Sequence, residues 1–156
     1  MCQCRKNHRL TMPIKRVTPD SAVKDYINRR LLMMKTVMIE NLAFVGEEAL
    51  RQARMGHRYK DQTGNLTSSI GYCIVDNGRV VHGSSFTAIL NGSEGSDEGR
   101  KYLKRLVSDN SSGLVFIMVA GMPYAKYVEA MNLDVLVSAE KLAKRMIPEI
   151  MKSLKF

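Results

Sequence analysis

The sequence predicts an α+β domain in which a long N-terminal helix and a C-terminal helix pack on a small, mostly antiparallel sheet of about four strands. Three observations carry this expectation. Apolar residues from Val23 to Leu50 recur three or four apart, the period of one face of an α-helix. Asp76-Asn77-Gly78 separates two runs rich in β-branched and aromatic residues, and a turn that accepts positive φ at that place makes a hairpin. Leu114–Ala120 is an unbroken apolar run of strand length, as a buried strand requires.

The first helix opens at Thr18-Pro19-Asp20. Threonine can cap, proline fits the first helical position because its missing N–H has no partner there, and aspartate meets the positive dipole end. The apolar pattern runs through Val23, Tyr26, Ile27, Leu31, Met34, Val37, Met38, Leu42, Val45, Ala49 and Leu50 towards Gly56. At about 35 residues and roughly 50 Å, such a helix outruns what a domain of this size covers on one face. Leu32, Met33 and Ile39 widen the stripe, so part of it is expected to meet another subunit. The alternative is two shorter helices, broken near Gly46 and folded on one core.

A polar loop from 57 to 64 leads to Asn65-Leu66-Thr67-Ser68-Ser69-Ile70. Leu66 and Ile70 lie four apart, and Asn65 or Thr63 can cap a single helical turn. The hairpin strands follow at 71–75 and 79–83. Residues 91–99, rich in glycine and poor in apolar side chains, read as a flexible surface loop. Tyr102, Leu103, Leu106 and Val107 then mark a helix, ended by Asp109-Asn110-Ser111-Ser112-Gly113 before the buried strand. Pro123 opens a short helix with Tyr124, Tyr127, Val128 and Met131 on one packing face and Lys126 and Glu129 outward. A fourth short strand is expected at 133–137. Ser138 should cap a last helix carrying Leu142, Ile147, Ile150, Met151 and Leu154, bent at Pro148.

The 156 residues fit one domain, at 18–156, preceded by a basic arm at 1–17. No apolar run approaches the roughly 18 residues of a membrane span, so no membrane partner is expected. No apolar core with a cleavage site follows the basic start, which speaks against a secretory signal. Cys2, Cys4 and Cys73 make an odd number and read as free thiols of a reducing compartment. The spacing of Cys2 and Cys4 with His8 does not complete a zinc site, and no cofactor is expected.

Lys and Arg number 24 against 15 Asp and Glu, a net charge of +9, and Arg5, Lys6, Arg9, Lys15 and Arg16 precede Val17 without a carboxylate. An arm of this kind is flexible and can bind nucleic acid or an acidic protein surface by long-range attraction; the plainer alternative is a solubilising tail. The eleven methionines fill core gaps or form an adaptable contact surface.

Catalytic chemistry finds little support. There is no Gly-x-Ser-x-Gly elbow, and His8, His57 and His82 fall in the arm, a loop and a hairpin strand. Gly92, Gly95 and Gly99 match no nucleotide-binding pattern, and Glu94, Asp97 and Glu98 beside them would repel phosphate. No Glu-x-Lys or Asp-x-Lys occurs to suggest one common class of metal-dependent nuclease. The expectation is that the chain is not an enzyme.

Two elements carry a resemblance. Tyr59-Lys60-Asp61-Gln62-Thr63-Gly64-Asn65-Leu66-Thr67-Ser68-Ser69-Ile70 resembles the Thr-Gly-Asn-Leu-x-x-Ser-Ile element of bacteriophage head-tail joining proteins, also called neck or tail-completion proteins. Tyr124-Ala125-Lys126-Tyr127-Val128-Glu129 is similar to that family's Tyr-Ala-x-Tyr-Val-Glu element. Their order, between a long first helix and a closing helix, also fits. After Glu129 many members continue Gly-Thr, where this chain has Ala130-Met131.

The resemblance implies an α+β subunit that assembles as a ring, commonly a hexamer, between the connector below the portal and the tail tube. Its partners would be itself and the adjacent connector and tail proteins, with DNA contact secondary. Its place would be the virion joint, assembled in the host bacterial cytoplasm. Thr63, Gly64, Asn65, Leu66, Ile70, Tyr124, Tyr127 and Glu129 are then candidate motif or subunit-interface residues. The competing expectation is a basic nucleic-acid-binding accessory protein.

Overall fold

The computed structural model describes residues 17–154. Arg5, Lys6, Arg9, Lys15 and Arg16 of the expected arm, with Cys2, Cys4 and His8, lie outside the described residues. The chain divides into two compact units, residues 1–33 and 34–156.

The described part of the first unit is the opening of α1 (Asp20–Met55), a helix of 36 residues. The Val23 N–H donates to the Pro19 carbonyl at 3.3 Å, and Asp20 sits in the first turn, so the helix begins where the Thr-Pro-Asp signal places it. Val23, Tyr26, Ile27, Leu31, Leu32 and Met33 are all exposed, from 44% at Val23 to 65% at Tyr26 and Leu32.

In the second unit, α1 buries Leu42, Val45, Gly46, Ala49, Leu50 and Ala53. Gly46 does not break the helix: a Cβ there would stand 2.2 Å from the Tyr72 ring, so its bare backbone admits an aromatic side chain from the sheet. The remaining elements are α2 (Asn65–Ser68), β1 (Ile70–Asp76), β2 (Arg79–Gly83), α3 (Ser93–Asp109), β3 (Leu114–Ala120), α4 (Ala125–Ala130) and α5 (Val137–Ser153). The fold is α+β, with a three-stranded antiparallel sheet in the order β2-β1-β3.

Central β1 is buried from Ile70 to Val75, because alternate side chains enter different cores. Ile70 and Tyr72 join Ala49, Leu50 and Ala53 of α1 with Val135 and Ala139, and Phe116, Met118 and Ala120 pack against them. Cys73 and Val75 join Ile117, Val119 and Phe86, covered by Leu103, Leu106 and Val107 of α3. Full burial of each large side chain contributes about 1.5–3 kcal/mol before entropy is subtracted. Asn77 and Gly78 turn the hairpin at φ 47° and 78°, the paired positive values that the Asn-Gly sequence accepts.

Three expectations need correction. The segment 133–137 forms no fourth strand, since Asn132 and Asp134 adopt φ 57° and 58°, which breaks an extended run. The N–H groups of Val135 and Leu136 donate instead to the Glu129 carboxylate at 2.9 and 2.7 Å. Residues 91–99 are not a flexible loop, because α3 begins at Ser93. The cap on α5 comes from Asp134, whose Oδ1 accepts the Ser138 N–H at 2.9 Å, while the Ser138 hydroxyl is buried without a partner. That helix continues through Pro148 to Ser153.

The glycine run becomes helical because of what it touches. A Cβ at Gly95 would lie 1.9 Å from the Asn65 carbonyl oxygen, and one at Gly99 would lie 2.5 Å from the Phe86 ring and 2.7 Å from the Ser69 carbonyl oxygen. Each glycine costs a helix about 1 kcal/mol relative to alanine, and the close approach to α2 and β1 offsets it.

Candidate functional site

The Thr63–Ile70 element folds as a tight turn organised by Asp61. One carboxylate oxygen of Asp61 accepts the Gly64 N–H at 3.0 Å and the other accepts the Thr67 N–H at 2.8 Å. These donors are otherwise orphans of a single-turn helix. Gly64 takes φ 77°, a left-handed conformation that glycine adopts without steric cost, and a Cβ there would meet the Ile89 carbonyl oxygen. Neither Thr63 nor Asn65 is the N-cap, a place taken by Gly64; the Thr63 hydroxyl accepts the Asn65 N–H at 3.3 Å just before the helix.

The side chains of the element are largely engaged. Asn65 donates to Glu94 at 3.2 Å and accepts the Gly95 N–H at 3.2 Å, tying α2 to the start of α3. The Thr67 and Tyr59 hydroxyls share a 3.2 Å hydrogen bond. The Ser68 hydroxyl accepts the Ile89 N–H at 2.8 Å, and the Arg54 guanidinium donates to the Ile70 carbonyl at 2.8 Å. Leu66 and Ile70 are buried.

The second element shares that core. Leu66, Ile70 and Ala125 belong to one cluster, with Val128 packed against it. Glu129 is half-buried rather than outward; its carboxylate satisfies two N–H groups of the segment entering α5. The tyrosines are not the packing residues expected: Tyr124 is 40% and Tyr127 61% exposed. Ala125 and Val128 meet the core, and the Lys126 ammonium lies over the Tyr127 ring, 4.9 Å from its centre. Burial, then the nearby Asp61 and Glu94 carboxylates, raises the Tyr124 phenol above its ordinary pKa, which places these acidic groups beside an exposed aromatic.

The structure thus gathers Thr63, Gly64, Asn65, Leu66 and Ile70 in one element, has Glu129 hold the segment entering α5, and leaves Tyr124 and Tyr127 at the surface. Asp61 and Glu94 were missed. An aspartate shortly before a one-turn helix is a capping signal, whereas the Glu94 contact is visible only once α3 lies on α2. His57 stacks on Tyr59 with ring centres 4.1 Å apart, and His82 lies on exposed β2. Among the described residues, no three His, Cys, Asp or Glu side chains are grouped to hold a metal ion. No helix among them is long and apolar enough to cross a membrane. Comparison with protein-family models, curated proteins and solved structures returns no match to this chain.

Proposed function

We propose that the chain is a ring-forming structural component of the head-tail joint of a tailed bacteriophage, a neck or tail-completion protein acting in virion assembly. The observation that carries this reading is the exposed apolar surface of the first unit, where Val23, Tyr26, Ile27, Leu31, Leu32 and Met33 face water. An apolar surface of that kind marks a contact with another protein. The phage class rests on the resemblance of the 59–70 and 124–129 elements, whose shared core supports reading them as one structural signature.

In this reading the subunits bury α1 on neighbouring copies, and a head-to-tail interface closes a ring, for example a hexamer. The connector and tail proteins of the joint are the axial partners, and the assembled place is the virion. Native mass spectrometry of the full chain, alone and with its connector and tail neighbours, tests it. A closed oligomer is expected; a strict monomer that joins neither neighbour would end the reading.

The net charge of +9 favours a second reading, a nucleic-acid-binding accessory protein using Arg5, Lys6, Arg9, Lys15 and Arg16. Micromolar DNA binding by a monomer, weakening steeply with salt and lost when those five residues become glutamine, would select it.

A further inference from the structure

The C-terminal half of α3 changes the sign of the surface. Glu98, Lys101, Tyr102 and Arg105 are spaced to share one face of the helix, and that face borders the turn at Gly121, Met122 and Pro123 and the start of α4. Together they enclose a groove of about 530 Å³, also lined by Ala120, Ala125 and Lys126. This is within the usual range of ligand clefts. Three cations therefore converge on one concavity. Its single carboxylate, Glu98, is already bonded to Lys101 at 2.7 Å, which leaves net positive charge from Arg105 and Lys126. Tyr102 lines the same groove and is 41% exposed.

We propose that this groove binds single-stranded nucleic acid, with Arg105 and Lys126 along the phosphodiester backbone and Tyr102 beneath a base. The combination decides the ligand class. A cationic groove alone takes any polyanion, but an aromatic face among the cations adds stacking, which only unpaired bases can reach. The inference does not depend on ring assembly.

The test is fluorescence anisotropy of a short labelled oligothymidylate with the full-length protein, across a salt series. The double variant Arg105→Gln/Lys126→Gln should bind at least about tenfold more weakly, and its log–log salt slope should fall by about 1.4, at roughly 0.7 for each lost phosphate contact. Tyr102→Leu should weaken binding about tenfold with the slope unchanged. All three residues are exposed, and thermal melts confirm that each variant folds.

A variant with Arg5, Lys6, Arg9, Lys15 and Arg16 changed to glutamine separates the arm from the groove. Binding by the double variant that equals the native protein would overturn the proposal. So would equal competition by a duplex of the same length or by polyglutamate. Assembly mass measured on the same samples keeps the two readings apart. A monomer with groove-dependent binding ends the ring reading alone, and a ring with groove-independent binding ends this one alone.

Discussion

Tyr72, with its side chain fully buried in the central strand, donates a 2.7 Å hydrogen bond to the Glu47 carboxylate on α1. This bond fastens the helix to the sheet beside Gly46, whose missing side chain makes room for the ring. Tyr72→Phe keeps the ring and removes the bond, so urea unfolding should show a loss of about 1 kcal/mol. An unchanged midpoint would mean that the bond adds nothing net.

The same pair sets a pH dependence. Burial, and then the hydrogen bond and charge of Glu47, raises the phenol pKa above its ordinary value near 10. A raised folded pKa means that the neutral phenol is the form the fold favours. Its contribution is complete below about pH 10 and declines as pH rises past that point. The advantage of the native protein over Tyr72→Phe should be constant near neutrality and shrink above about pH 10, measured by denaturant midpoints at each pH. An advantage that grows in alkali would contradict the assignment.

Asp61 is expected to be the most sensitive position in the 59–70 element, since it alone accepts two backbone N–H groups there. Asp61→Ala should lose about 2 kcal/mol and Asp61→Asn about half of that, because an amide retains one acceptor oxygen. Chemical denaturation with an unchanged m-value reads the difference. Equal losses for the two variants would argue against the two-pronged role.

Gly95→Ala distinguishes a helix packed on α2 from a free loop. In a loop the change would be nearly neutral, and in an exposed helix it would help by up to about 1 kcal/mol. Here the added carbon meets the Asn65 backbone carbonyl at 1.9 Å. Neither backbone can yield cheaply, so a net loss of about 1–3 kcal/mol is expected from the thermal melt. Stabilisation would show that α3 does not approach α2 as described.

Cys73 is 1% exposed, and burial pushes its thiol up to about 11. The thiolate that reacts with disulfide reagents is therefore scarce and inaccessible in the native protein. In a Cys2→Ser/Cys4→Ser background, a colorimetric thiol reagent at about pH 8 should detect no thiol until guanidinium is added. Prompt native reaction would place Cys73 at the surface.

Much of the fold was legible residue by residue. The period of α1, the Asn77-Gly78 turn and the apolar run of β3 are local signals, and each element formed at its expected place. The failures share a cause. Glycines between 91 and 99 signal loop by propensity, yet helix prevails where their lack of a side chain lets backbones touch. Leu133 to Val137 has strand composition, but Glu129 captures the N–H groups a strand neighbour would need.

The sequence by itself determined which segments form helix and strand wherever period and turn chemistry agree, because those preferences act within a few residues. Only the tertiary structure decided that Asp61 clamps α2, that Glu129 turns inward while Tyr124 and Tyr127 stay at the surface, and that Lys101, Arg105 and Lys126 share one groove. Those outcomes depend on which distant groups compete for the same hydrogen-bond donors and the same space, and that competition exists only after the chain has closed on itself.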